Sequence, residues 1–419
     1  MDKLIINGGI PLNGEVAISG AKNAVLPIMA ATIIVPGIYE LNNVPKLKDT
    51  LTMLSLLEII GAKVSFNQNK VKINTKDCNN PVAPYDLVKT MRASFYVLGP
   101  FLSRFNYAEV SLPGGCAWGP RPVNYHLEAM ETMGANVKLN DGMMIVQGKL
   151  KGAEINFKQQ SVGATGNIIM AAVNATGVTI INNPAKEPEI SSLCQFLILM
   201  GADIKGFGTN KIIINGKKQL HADIEYNIIP DRIEAGTFLI AGAITFGNIK
   251  ISNVIPDHLN ILIEYLKSAG FSLVINESCI EIAPNSKFII PKNMITKTFP
   301  GFPTDLQAQW MSLMSIAKGN STITETIYKD RFTHISELSR FGANIHLKDN
   351  KAYIVGTETL LGAPVMSTDI RASASLILAA LASKGKSIIS RIYHIDRGYE
   401  SIESKFSKLN ADIIRANDI

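Results

Sequence analysis

Six times along this chain a helix-like run closes on a residue that tolerates a left-handed backbone and passes into a β-rich stretch. The instances are LLEIIGAKVSF, LEAMETMGANVKL, CQFLILMGADIKG, LIEYLKSAGFSLVI, ISELSRFGANIHL and IESKFSKLNADII, closing at Gly61, Gly134, Gly201, Gly270, Gly342 and Asn410. Successive closing residues stand 73, 67, 69, 72 and 68 positions apart. Glycine, and after it asparagine, is the residue a helix uses to end in the αL conformation. Apolar residues before each closing position recur at three and four, which gives each helix one buried face.

A second helical pattern precedes each of these. The copies are GAKNAVLPIMAA, TMRASFYVLGPF, GATGNIIMAAV, RIEAGTFLIAGA, TDLQAQWMSLMS and DIRASASLILAA. They are rich in Ala, Gly and Ser and apolar nearly all round, the mark of helices buried on every side. A short β-rich run follows each, as in GVTIINN, GNIKISN and GKSIISR. The repeating unit is therefore a buried helix, a strand, an amphipathic helix and paired strands, an α/β unit of about 70 residues. Three units per domain predict two similar domains. We expect the chain to cross near Gly20-Ala21 and near Pro230-Asp231, with residues 22–229 as one domain and residues 1–21 with 230–419 as the other.

At 419 residues the chain exceeds one ordinary core, which also argues for two domains. A formal charge of +6 is mild over this length and forms no basic block, so neither nucleic acid nor a membrane surface is expected as a partner. The four cysteines, Cys78, Cys116, Cys194 and Cys279, form no C-x-x-C pair, and free thiols in a reducing compartment are expected. The alternating polar start MDKLIINGGIPLNGEV lacks the apolar core of a signal peptide, and no run is long enough to span a membrane. These features predict a cytoplasmic protein. The six histidines show no i, i+4 pair and no HExxH, so no metal site is expected.

Cations recur at the entrances of the buried helices: Lys22, Arg92 and Arg371 fall at equivalent points of units one, two and six. A helix N-terminus offers free N–H groups and partial positive charge, and an added cation makes a place for phosphate or carboxylate. Arg331 and Arg397 follow apolar strands in the loops YKDRFTH and HIDRGYE. The stretch VSLPGGCAWGPRPVNYHLEAM is a loop with demanding backbone geometry, where Cys116 follows two glycines and Arg121 lies five residues on. A nearby cation lowers a thiol's pKa and raises its reactivity. Cys78, in a polar turn, and Cys194, on an amphipathic helix, read as structural.

The chain resembles the UDP-N-acetylglucosamine enolpyruvyl transferases of the EPSP synthase superfamily along essentially its whole length. The motifs that carry the resemblance are SGAKNA (19–24), VKTMRAS (88–94), PGGCAWGPRPV (113–123), SVGAT (161–165), EPEI (187–190), GFPTD (301–305), RFTHISEL (331–338), DIRASASL (369–376) and YHIDRGYE (393–400). The resemblance implies a two-domain inside-out α/β barrel, the enolpyruvate transferase fold, with three repeats per domain. It implies transfer of the enolpyruvyl group of phosphoenolpyruvate to the 3′-hydroxyl of UDP-N-acetylglucosamine, an early step toward peptidoglycan, with no cofactor.

By the same resemblance Cys116 is the general acid and the site of a covalent adduct, and Asp305 is the carboxylate beside the sugar hydroxyl. Lys22, Arg92, Arg121 and Arg397 match residues that grip phosphoenolpyruvate, and Arg331 and Arg371 match further arginines of the site. Asn23, Pro122, Val123, Asn124, Tyr125, Ser161, Val162, Gly163 and Ile327 match sugar-nucleotide contacts. Three departures bear on nucleotide binding: Asn124-Tyr125 where the family has Asp-Leu, Gln159 in place of a Lys, and Tyr96 in place of a Trp.

Enolpyruvyl transfer asks for such residues. A proton donor must stand against the vinyl carbon and a base or orienter beside the alcohol, and arginines must hold phosphate and carboxylate close together. We expect the 112–122 loop to act as a lid that brings Cys116 into place. Two other readings compete: the related shikimate-pathway transferase, whose GNAGTA-type motif is missing here, and a catalytically silent sugar-nucleotide-binding paralogue.

Overall fold

The computed structural model describes residues 2–112, 123–217 and 219–417. In chain order the helices are α1 (Lys22–Ala31), α2 (Lys48–Ile60), a single turn α3 (Tyr85–Val88), α4 (Leu98–Phe105), α5 (Asn124–Thr132), α6 (Val162–Ala172) and α7 (Pro188–Leu199). They continue with α8 (Arg232–Ile244), α9 (Asn260–Ser268), α10 (Gln307–Met314), α11 (His334–Arg340), α12 (Ile370–Ala382) and α13 (Ile402–Lys408).

The Ala/Gly/Ser-rich patterns are the buried helices. In α8 every residue from Ile233 to Ile244 is buried, and in α12 every residue from Arg371 to Leu381. Small residues let these helices approach closely. A Cβ on Gly99 of α4 would stand 2.3 Å from the Asn167 carbonyl oxygen of α6. Ser312 of α10 donates to the Ser375 carbonyl of α12 at 2.9 Å. The amphipathic helices end where the sequence predicts: Gly61, Gly134, Gly201, Gly270 and Gly342 have φ of 108, 94, 94, 104 and 89°, and Asn410 has φ of 66°. Only the left-handed region accommodates these values.

Two buried segments begin differently from the others. Arg92–Val97 and Thr304–Leu306 are 3-10 turns that precede α4 and α10. In the first, Pro100 has no N–H to return to Tyr96, and the backbone upstream closes as a 3-10 turn. Arg92 opens a 3-10 turn, whereas Lys22 opens an α-helix that tolerates its own Pro27.

The described residues form six open four-stranded sheets, none closed on itself. In four of them a short strand, a buried helix and a parallel strand make a βαβ unit, for example Glu154–Asn156, α6 and Val178–Asn182. In the other two the parallel partners are exchanged. Asn13–Ala17 precedes α1 yet pairs with Asn248–Ser252, and Ile224–Asn227 precedes α8 yet pairs with Ile38–Asn42. The N-terminal strand Asp2–Gly8 inserts between Gly385–Ser390 and Asp412–Asn417, with Leu4 opposite Ile389 and Ile5 opposite Ile414, and so completes the sixth repeat.

By its contacts the chain divides into two compact units, Gly20–Ile229 and Met1–Ser19 with Pro230–Ile419. Each has its own apolar core of buried helices and inward-facing strand residues. Among the described residues no helix is long and apolar enough to cross a membrane.

Candidate active site

The 3-10 turn before α10 presents Asp305, and two arginines close on it. Arg331 Nη2 lies 2.8 Å from Asp305 Oδ1, and Arg371 Nε lies 3.3 Å from the same oxygen. Arg331 and Arg371 are 9% and 6% exposed, so these guanidiniums are held largely out of water. Burial pushes the Asp305 carboxyl up, but the Arg371 and Arg331 charges beside it prevail and hold it well below the usual carboxylate range. Asp305 is thus ionised, and part of its side chain, 27%, still faces solvent.

A further layer holds this cluster. Arg331 Nη1 donates to Thr304 Oγ1 at 3.0 Å, and Thr304 donates to Glu325 Oε2 at 2.8 Å. Glu325 is fully buried, and its other oxygen accepts from Thr296 Oγ1, Ile327 N and Tyr328 N. A buried carboxylate without a cation against it is stable only when donors surround it in this way. Glu325 thereby ties the turn carrying Ile327 to the residue preceding Asp305. On the opposite side Asp369 caps α12 through the Arg371 and Ala372 N–H groups. Arg397 ends the 3-10 turn Ile392–Arg397, two residues before Tyr399, whose hydroxyl accepts from Arg371 Nη1 at 3.4 Å.

The unit Gly20–Ile229 carries the remaining predicted positions. Lys22 opens α1 and is 8% exposed, with Nζ 3.3 Å from Asp49 Oδ2 in the first turn of α2. Asn23 follows it, half-buried. Val123, Asn124 and Tyr125 stand at the start of α5, and Ser161, Val162 and Gly163 at the start of α6. These two starts are neighbours, since a Cβ on Gly163 would touch the His126 ring at 3.4 Å. Ser161 caps α6 through the Ala164 N–H, Asn124 donates to Glu128 at 3.2 Å, and the Tyr125 ring meets Phe157 edge-on at 5.7 Å. Tyr96 packs beneath, its ring reaching 2.8 Å from where a Gly166 Cβ would be, and Gln159 is exposed.

Cys116, Arg121 and Pro122, the side chain of Arg92, and all of the expected lid after Leu112 lie outside the described residues. Of the other thiols Cys78 and Cys194 are buried, and burial pushes Cys194 up to about 12. A thiol so raised is a poor nucleophile. Among the described residues no group of His, Cys, Asp or Glu is arranged to hold a metal ion.

The structure also brings forward residues that the sequence reading passed over: Glu325, Thr304, Gln309 and Tyr399. A signal was present for one, because Gln309 is an amide inside an otherwise buried helix pattern. Thr304 and Tyr399 stand inside GFPTD and YHIDRGYE without a role of their own there, and a strand-end Glu such as Glu325 looks like any solvated polar residue until the fold buries it.

The profile of a family described as EPSP synthase (3-phosphoshikimate 1-carboxyvinyltransferase) matches residues 6–406. A UDP-N-acetylglucosamine 1-carboxyvinyltransferase of Geotalea daltonii is 51% identical over 419 residues, covering 100% of both chains. The protein of the same name from Chlorobaculum parvum is 49% identical over 99% of this chain and 98% of its own. Among solved structures, the enolpyruvyl transferase NikO of Streptomyces tendae superposes with a TM-score of 0.90 at 24% identity, over 100% of this chain and 99% of its own. An EPSP synthase of Acinetobacter baumannii superposes with a TM-score of 0.77 at 18% identity, over 100% of each. The two structures share the fold, six open sheets around buried helices. Half-identity over full length goes further: the chain belongs to the EPSP synthase family and, within it, to the UDP-N-acetylglucosamine 1-carboxyvinyltransferases.

Proposed function

We propose that the chain transfers the enolpyruvyl group of phosphoenolpyruvate to the 3′-hydroxyl of UDP-N-acetylglucosamine, in the cytoplasm, as the first committed step of peptidoglycan precursor synthesis. The observation that carries the reading is the Asp305 carboxylate held ionised between Arg331 and Arg371 in a chain half-identical to enzymes of that name.

The reaction adds the alcohol oxygen to carbon 2 of phosphoenolpyruvate while carbon 3 gains a proton. The tetrahedral adduct then loses phosphate from carbon 2 and a proton from carbon 3, which regenerates the vinyl group in the product. Cys116 is assigned the proton donated to carbon 3. Asp305 accepts a hydrogen bond from the sugar hydroxyl and orients its lone pair toward carbon 2; the hydroxyl proton ends on the departing phosphate, and the proton lost from carbon 3 returns to the Cys116 thiolate. Two guanidiniums that lower its basicity suit it to orientation more than to full proton removal. Lys22, Arg92, Arg121 and Arg397 are assigned to the phosphate and carboxylate of phosphoenolpyruvate. Arginines suit that task because paired N–H donors match both anions. Asn23, Pro122, Val123, Asn124, Tyr125, Ser161, Val162, Gly163 and Ile327 are assigned to the sugar nucleotide, where helix N-termini supply N–H donors for the diphosphate.

Phosphate release that requires both substrates tests the reading. Sugar-nucleotide binding without release identifies a silent paralogue instead, and turnover with shikimate 3-phosphate identifies the sister activity. Alkylation by fosfomycin, read by intact mass and peptide mapping, is expected once and at Cys116. Modification of Cys279 in its place would remove the assignment of the proton donor.

A further inference from the structure

Tyr399 is 1% exposed and lies where three buried helices of its unit meet. Its hydroxyl is 2.8 Å from Thr237 Oγ1 of α8, 3.3 Å from Gln309 Nε2 of α10 and 3.4 Å from Arg371 Nη1 of α12. The chemistry of the partners sorts the donors and acceptors in this group. Arginine only donates, so Arg371 takes one lone pair of the phenol oxygen. Gln309 Nε2 also faces the Asp305 carbonyl at 3.1 Å, and a carbonyl only accepts, so the amide nitrogen stands there with one proton on that carbonyl and its second between the Tyr399 hydroxyl and Thr237 Oγ1, 3.2 Å away. The phenol proton then goes to Thr237, whose own proton goes to the Ile233 carbonyl at 2.8 Å. Burial pushes the Tyr399 hydroxyl above its ordinary value against the opposing Arg371 charge, so it keeps its proton and its direction. The approach depends on Gly398, where a Cβ would stand 2.5 Å from Ile370 Cγ2 and 3.8 Å from Arg371 Nη1.

Asp305 is therefore gripped at both ends through one hydroxyl. Arg371 holds its carboxylate, Gln309 holds its main-chain carbonyl, and Tyr399 is the shared acceptor of both donors. We propose that Tyr399 is a positioning residue of the transfer reaction, its hydroxyl fixing the Arg371 guanidinium and the Asp305 backbone in one geometry without touching substrate. The inference rests on the reading of Asp305 as the group that orients the sugar hydroxyl. A misplacement of about 1 Å in such a group is enough to slow chemistry by about 100-fold while leaving binding of the substrate body intact.

The test uses the full chain with Tyr399→Phe, Thr237→Val and the double variant. Phosphate release is normalised to UDP-N-acetylglucosamine binding stoichiometry from calorimetry, so an unfolded fraction cannot imitate the effect. For Tyr399→Phe we expect kcat to fall about 10-fold or more with both KM values within about 3-fold. Thr237→Val, which removes the acceptor that aims the phenol proton, lowers kcat in the same direction. The double variant falls by less than the product of the two single losses, because both changes break one network of hydrogen bonds. Unchanged kcat in Tyr399→Phe overturns the proposal, as does a double variant whose loss equals the product of the singles. If Tyr399→Phe fails to fold, Thr237→Val decides alone, and unchanged turnover there overturns it. A parent chain that binds sugar nucleotide but releases no phosphate overturns the transferase reading, and this inference falls with it. A parent that turns over normally beside an unaffected Tyr399→Phe overturns only the inference.

Discussion

Arg331 reaches Asp305 with one arm of its guanidinium, Nη2 to Oδ1 at 2.8 Å, while its other arm is held 3.0 Å from Thr304 Oγ1. That fork needs a planar group with two donors on one edge, which lysine lacks. Arg331→Lys keeps the charge and breaks the fork. We expect kcat/KM for phosphate release to fall about 10- to 100-fold, the range for a lost hydrogen bond between charged groups. A value within about 2-fold of the parent would show that charge alone is needed.

Two titratable groups of this cluster, Asp305 and His334, give stability the same slope on pH. A carboxyl held below its unfolded value adds stability that is fully present above that value, near pH 3.9, and is lost as pH falls through the folded one. Asp305 is of that kind. The deficit of Asp305→Asn against the parent is therefore largest at neutral pH and shrinks below about pH 4. His334 is 1% exposed, and burial, with Arg331 adding to it and Asp369 opposing, lowers it from 6.5 to about 4. The unfolded chain takes up this proton first, so stability declines as pH falls below 6.5 toward the lowered folded value. Urea denaturation across that window should show a flatter profile for His334→Gln than for the parent.

Glu325 serves four donors at once, two hydroxyls and two backbone N–H groups. Glu325→Ala leaves them buried and unpaired, and we expect a loss of about 2–4 kcal/mol in urea denaturation. Glu325→Gln retains an oxygen for the Ile327 and Tyr328 N–H groups, so it should lose less than the alanine variant. Equal losses would mean that the backbone donors are not what Glu325 stabilises.

In the unit Gly20–Ile229, α4 crosses α6 closely at Gly99. Its N–H donates to Asn167 Oδ1 at 2.8 Å, and an added Cβ would meet the Asn167 carbonyl oxygen at 2.3 Å. Backbone cannot give way as a side chain tip can, so Gly99→Ala has to part α4 from α6. We expect a loss of about 2 kcal/mol or more in stability. An unchanged melting temperature would show that the helices slide apart at little cost.

Much of the architecture was legible because its signals are local. The 3.6-residue period marks buried and amphipathic helices, and the αL closing residues at Gly61 through Asn410 depend only on the backbone of one position. The motifs around Lys22, Asp305, Arg331, Arg371 and Arg397 also read directly from the chain. The 3-10 start at Arg92 was not legible, because its residues fit the buried-helix pattern as well as those at Lys22 do.

The sequence by itself determined the six-unit period, where each amphipathic helix stops, and which chemical groups are available for holding anions, since each of these follows from residues within a few turns of one another. Only the tertiary structure decided that Asn13–Ala17 and Ile224–Asn227 exchange sheets, that the N-terminal strand completes the last repeat, and that one hydroxyl at Tyr399 braces both ends of Asp305. Those outcomes join residues on different elements far apart in the chain, and strand partners and buried donors are chosen by what packs beside them in space, which no local window of the chain contains.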